Sequence, residues 1–332
     1  MNPQLAVMAS IRGGVFTRAD ARACGYPDPD IDTLLDSGGW RRIRPGTYAS
    51  HRALTLVTEE VLHLRKVYRV LRSGGPGVVA SHQSAAALHA LPVWGLDLSR
   101  VHVTASDGRS GCLGGVHRHI RDPVGPGIQL WNKLRMVSPA RAVAEVAATS
   151  PAAPAVVLTE AALHAGLVTR RTLKRATSLL VHGNDRAIQV ISRAGTESAS
   201  VAESRLRFIL ADAGLPTPSP LPPPDMDSPD TAGSSGVRTP VAAASFWFPD
   251  ERTVLEFEPR FPFWCEEFEH DEESGPPPPV FDPAAPEPVE HCWISWSDLD
   301  DPGHVVDRVR STFSRASRRT GIRHFDLARA RM

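Results

Sequence analysis

A chain of 332 residues exceeds what one hydrophobic core usually serves, so two or three domains are expected. Its 37 basic residues balance 37 acidic ones, so whole-chain charge says little about partners and local charge says more. Four cysteines at 24, 112, 265 and 292 form no C-x-x-C pair, which excludes a disulfide framework or zinc ribbon and fits a reducing cytoplasm.

The opening MNPQLAVMASIRGG has neither a basic region nor a long apolar run, and no later window approaches the roughly 20 apolar residues of a membrane span. A cytoplasmic protein with no membrane partner is therefore expected. Charge is segregated: residues 251–300 are dominated by Asp and Glu, and the stretch from Arg308 to Arg331 is rich in Arg. Lysine is confined to Lys66, Lys133 and Lys174, so nearly all positive charge is guanidinium, which suits bidentate phosphate contacts.

The first domain, residues 1–52, reads as three short helices and a hairpin. A helix over 4–12 ends at Gly13-Gly14, and Thr17 can cap a second that Gly25 stops. Asp28 or Asp30 can cap a third, in which Ile31, Leu34 and Leu35 form a core-facing stripe. Residues 40–44 and 47–49 flank the turn signal Pro45-Gly46. Helix–helix–helix–hairpin is the winged helix-turn-helix pattern, which sets its third helix in the major groove and its wing against phosphates or the minor groove. Arg41, Arg42 and Arg44 beside Trp40 equip the wing, and Arg12 and Arg18 can flank the same face. The third helix, however, carries Asp28, Asp30, Asp32 and Asp36 and no basic residue, so base readout is expected to be weak and the wing to carry the affinity.

Residues 53–194 form a mixed α/β middle region. Helices are expected over 53–72, from Ser81 to about Ala90, over 138–148, over 155–180 and over 184–193; strands over 101–105 and 116–120 lie around a Gly-rich turn. His117 and His119 share a strand face, with His82 and His102 in the same region, but H-x-H alone is common and spacing fixes no third ligand. No metal site and no cofactor are assigned.

The third domain spans 195–320. Residues 216–240 and 271–290 are Pro-, Ser- and acid-rich with few apolar side chains, and are expected to be disordered insertions. Leu206, Ile209, Leu210 and Ala213 make an apolar stripe, with Glu203 on the same face at the core's edge. If the turn 249–252 closes a hairpin, Phe248 pairs with Thr253 and Ser245 falls opposite Glu256. A strand over 291–296 and a helix over 302–318, capped by Asp301 with Pro302 at its first position, complete the region. Trp247, Trp264, Trp293 and Trp296 are expected in its core.

The segment GGVFTRADARACGYPDPDIDTLLDSGGWRRIRPGTYAS resembles the N-terminal domain of AbiEi-type antitoxins, through Phe16, Thr17, Gly38, Trp40, Arg42, Gly46 and Tyr48. The likeness continues through Ser81–Ala86, Val101–Thr104 and Ser138–Arg141 and covers most of the ordered chain. It implies promoter DNA as a partner, autorepression of a type IV toxin–antitoxin operon and a cognate toxin protein. The third region resembles Vsr-like PD-(D/E)XK nuclease domains, which implies a restriction-endonuclease-like α/β core. Glu203-Ser204-Arg207 approximates that family's first motif, Ser245-Phe246 stands for Asp-Phe in the second, and Glu256-Phe257-Glu258-Pro259 stands for the third, with Pro where Gly is usual.

Metal-assisted phosphodiester hydrolysis needs hard oxygen ligands for Mg²⁺ and an activated water. Ser245 is a poor ligand and no lysine follows Lys174, so Glu203, Ser245, Glu256 and Glu258 read as degenerate positions with no catalytic role. The expected protein is thus multidomain α+β and most simply a non-catalytic DNA-binding regulator. Two alternatives stand: a Mg²⁺-dependent DNA endonuclease, and a protein-interaction module without DNA binding.

Overall fold

The structure, a computed structural model, describes residues 2–12, 14–50, 58–75, 77–106, 108–120, 127–131, 133–196, 198, 200–219, 244–257 and 289–320. The chain forms two compact units, Met1–Ser198 and Ala199–Met332. The first unit therefore holds both the N-terminal and the middle regions distinguished in the sequence.

Its N-terminal part runs α1 (Pro3–Ile11), β1 (Phe16–Thr17), α2 (Arg18–Ala23), α3 (Asp28–Asp36), β2 (Trp40–Arg44) and β3 (Thr47–Ser50). Local chemistry sets each boundary. Asn2 Oδ1 accepts the Leu5 amide at the start of α1, and Thr17 and Asp20 make a reciprocal capping box on α2. Helix α3 begins on Pro27 without a side-chain cap. The capping role expected of Asp28 or Asp30 fails because both lie inside the first turn of the helix, where the Asp28 carboxylate pairs with arginines of α2. Strands β2 and β3 turn at Pro45-Gly46, where Gly46 has φ 73°, a left-handed conformation that a Cβ disfavours. The sheet order is β1-β3-β2, all antiparallel. Leu5, Met8, Phe16, Ala21, Cys24, Ile31, Trp40 and Tyr48 fill the core beneath it. Phe16 meets the Trp40 ring edge-on with centroids 4.7 Å apart.

The middle part continues with α4 (Glu59–Ser73), β4 (Val79–Ala80), α5 (His82–Leu88), β5 (Val101–Ala105), β6 (Gly111–Leu113), β7 (Val116–Ile120), β8 (Ile128–Trp131) and β9 (Leu134–Val137). Then follow α6 (Pro139–Thr149), α7 (Ala152–His164), α8 (Arg170–Ser178) and α9 (Asn184–Ser192). Helix α4 packs on α1, and Arg65 Nε donates to the Ser10 carbonyl at 3.0 Å. Six strands form a mixed sheet in the order β6-β7-β5-β4-β9-β8. The strands over 101–105 and 116–120 pair in parallel, because β6 intervenes and makes the hairpin with β7. Helix α7 is buried from Pro154 to Ala162, as a helix apolar on all sides must be.

The second unit contains α10 (Val201–Asp212), β10 (Ala244–Phe248), β11 (Thr253–Phe257), β12 (Glu290–Ile294) and α11 (Pro302–Thr320). Strands β10 and β11 form an antiparallel hairpin, in which Phe248 pairs with Thr253 and Ser245 with Glu256. Strand β12 lies parallel to β11. Leu206, Ile209 and Leu210 of α10 meet Phe246, Phe248, Leu255 and Ile294 of the sheet and Val305, Val309 and Phe313 of α11 in one core. Asp301 Oδ1 accepts the His304 amide at 3.1 Å and so caps α11.

Three expectations change here. The first insertion does not begin at 216: residues 216–219 are placed, and the Ser219 amide donates to the Trp247 carbonyl at 2.7 Å. Residues 220–240 and 271–288 lie outside the described residues. The second insertion ends before 290, since Glu290 opens β12 and is buried against Arg315 (3.3 Å) and Arg319 (2.9 Å). The tryptophans do not fill the core. Trp247 and Trp293 are half-buried on the faces opposite Phe246 and Ile294, Trp296 packs at the edge under the Arg205 guanidinium, and Trp264 lies outside the described residues.

Candidate nucleic-acid interface

The N-terminal part presents two surfaces of opposite character. One is the wing. Trp40 opens β2 in the core, and Arg41 and Arg42 after it are both exposed. An irregularity between Arg42 and Arg44 leaves Ile43 unpaired in the ladder and exposed. The Arg42 guanidinium lies 6.0 Å from the Tyr48 ring centroid, beside its strand partner. Neither Arg41 nor Arg42 has a carboxylate partner among the described residues, so both charges point outward uncompensated. The Arg44 side chain lies outside the described residues.

The other surface is the helix-turn-helix. Arg18 on α2 spans to α3, with Nε 2.7 Å from Asp28 Oδ1 and Nη2 2.7 Å from Asp32 Oδ1. Arg22, one turn on, reaches the other oxygen of Asp28. Asp28 is held below the usual carboxylate range by Arg22 first and Arg18 second, so it stays ionised. Arg12 is paired with Asp20, the same carboxylate that completes the α2 capping box. The five arginines named from the sequence therefore divide. Arg41 and Arg42 face outward unpaired, Arg12 and Arg18 already hold carboxylates, and Arg44 is undescribed. Sequence reading missed Arg22, although its offset of four from Arg18 puts both on one face of α2.

In the second unit the carboxylates singled out are committed locally. Glu203 Oε1 accepts from Ser200 Oγ at 3.2 Å while its amide donates back to that oxygen, which is a helix-start arrangement. Glu256 Oε1 lies 2.8 Å from His291 Nδ1 on the neighbouring strand. The Ser245 side chain and all of Glu258 lie outside the described residues.

A third constellation is one the sequence did not assign. His102 and His117 are Cα partners on the parallel strands β5 and β7, and His119 lies two residues on, on the same face. Helix α5 starts beside them at His82. His102 Nδ1 is 3.1 Å from His119 Nε2, and the rings of His82 and His119 stack with centroids 4.0 Å apart. His117 stacks on His119 at 4.2 Å. Burial, then the neighbouring imidazoles, press the His102 pKa down to about 3 and that of His119 to about 4. Both are therefore neutral near pH 7. Ser81 stands at the cap position of α5 but makes no cap bond; its Oγ lies 3.1 Å from His82 Nδ1 instead.

Among the described residues no helix is long and apolar enough to cross a membrane. Residues 6–51 match the family model described as transcriptional regulator, AbiEi antitoxin. That span holds most of α1 and all of β1, α2, α3, β2 and β3. No curated protein matches the chain. The crystal structure of the RV2827C protein from Mycobacterium tuberculosis aligns with 59% of this chain and 82% of that one, at 15% identity and a TM-score of 0.26.

Proposed function

We propose that the chain is a DNA-binding transcriptional regulator of antitoxin type, that it binds promoter DNA through its first 51 residues, and that a cognate toxin is its protein partner. One coincidence carries the reading. The segment matching the AbiEi antitoxin regulator model folds as α1-β1-α2-α3-β2-β3, and its wing displays two arginines with no carboxylate partner among the described residues. A helix-turn-helix with a basic wing has the shape and charge to lie along a duplex, with the wing on the phosphates. The acidic α3 sets the mode: with Asp28 and Asp32 paired to α2, Asp30 and Asp36 still oppose deep groove entry, so phosphate contact outweighs base readout.

The same reading makes the second unit a Vsr-like fold retained without chemistry. What supports it is that Glu203 bonds Ser200, Glu256 bonds His291, and a serine, a poor metal ligand, stands opposite Glu256. Two experiments test the proposal. Gel shifts with duplex from the region upstream of the gene should retard at low salt, and absence of any shift refutes DNA binding. Supercoiled plasmid incubated with the protein and Mg²⁺ or Mn²⁺ should stay intact; nicking that Glu256→Ala abolishes would overturn the non-catalytic assignment.

A further inference from the structure

We propose that His82, His102 and His119 form a binding site for a divalent transition-metal ion of the zinc type. Three separate elements, the start of α5 and strands β5 and β7, each deliver one imidazole to the same point, and one ring nitrogen of each lies within 4.8 Å of the other two. In a tetrahedral zinc site with Zn–N bonds of about 2.0–2.1 Å, neighbouring nitrogens stand about 3.3 Å apart. His102 and His119 already meet at 3.1 Å. Only the His82 ring must close in, and it is already stacked on His119.

The surroundings are those of a metal site rather than of a packed core. His82 has φ 51°, a left-handed backbone that is costly for a residue with a Cβ and that tends to occur where function holds a side chain in place. Its amide donates to Glu145 Oε2 at 3.0 Å, and that oxygen is 3.4 Å from His82 Nδ1. Arg141 Nε fixes the other oxygen of Glu145 at 2.8 Å. Ser81 Oγ, 3.1 Å from the same Nδ1, and the nearby Glu145 carboxylate together favour a proton on Nδ1, which leaves the other nitrogen as the ligand, the usual outer shell of a zinc histidine. On His102, the Gln83 side-chain amide stands 3.0 Å from Nε2, so Nδ1 is the atom turned to the cluster. Gln83 Oε1 is buried with no hydrogen bond among the described residues. A half-turn of that amide, at the cost of its bond to the Asp97 carbonyl, supplies the acceptor that Nε2–H needs once the ion takes Nδ1.

An all-imidazole set selects zinc, copper, nickel or cobalt over magnesium or calcium, and three protein ligands leave the fourth position to water or a small anion. The site lies outside the residues proposed to touch DNA and does not depend on that reading.

The test uses the full chain, stripped with chelator and titrated with ZnCl₂ by calorimetry, alongside His102→Ala, His119→Ala and Glu145→Gln. One equivalent should bind the wild type, with affinity lost by at least about 100-fold in either histidine variant and weakened about 10- to 100-fold in Glu145→Gln. Zinc binding unchanged in folded histidine variants, or no binding to the wild type, overturns the proposal. Should those variants not fold, X-ray absorption on the zinc-loaded wild type decides. Three imidazole nitrogens at about 2.0 Å support the site, and fewer, or a sulfur ligand, refute it.

Discussion

Replacing Arg41 and Arg42 together with alanine gives the most quantitative check on the wing. Both side chains are exposed on β2 and neither pairs with a described carboxylate, so their loss should leave the core of Phe16, Trp40 and Tyr48 intact. Each arginine seated on a phosphate releases condensed counterions, and the slope of log K against log salt steepens by about 0.9 per contact. Removing two should flatten the slope by about 1.8; the affinity lost between 50 and 200 mM salt should then be smaller by a factor of about 12. Fluorescence anisotropy on the upstream duplex across a salt series reads this directly. A second duplex of scrambled sequence should show the same flattening, because phosphate contacts carry no sequence information. An unchanged slope in a folded double variant would refute the assignment of the wing to DNA.

Asp28→Asn with Asp32→Asn should release Arg18 and Arg22 from α3; DNA binding should tighten with a steeper salt slope in the same assay, and weaker binding would show that the clamp serves the interface. Phe16→Ala should cost about 3–5 kcal/mol in urea unfolding, since the ring is fully buried against Trp40, and an unmoved midpoint would contradict the packing. Buried His63 and half-buried His89 are held below the ordinary imidazole value of 6.5, chiefly by desolvation, so the unfolded chain binds more protons than the folded one as pH drops. That stability is present above 6.5 and lost below it: the urea midpoint should fall between about pH 7.5 and about pH 5, less so in His89→Gln, and a rise would reverse the sign.

Much of the N-terminal part was legible because its signals are local. Thr17 and Asp20 cap α2 reciprocally across three residues, Gly46 permits the wing turn, and Trp40 and Tyr48 are large aromatics flanking that turn that enter the core. The β10–β11 register was legible for the same reason, since a four-residue turn leaves one pairing that buries Phe246 and Phe248. Strands β4, β8 and β9 were not legible. They are two to four residues long, and their pairing partners are set by the sheet rather than by their own sequence.

The two least legible features are also the two that bear on function, and they share a cause. The acidic α3 and the basic residues of α2 look opposed when read as separate helices, one repelling DNA and the other attracting it. Folding places Arg18 and Arg22 over Asp28 and Asp32, so these charges cancel in pairs, while Asp30 and Asp36 keep α3 acidic and the wing supplies the exposed positive charge. Likewise His82 and His119 are 37 positions apart, on a helix start and a strand, so only the parallel pairing of β5 with β7 reveals that they converge. Spacing along a chain reports neighbours on one helix or one hairpin. Charge cancellation between helices and ligand convergence across a mixed sheet are long-range products of topology, and such features emerge only once the strands have an order.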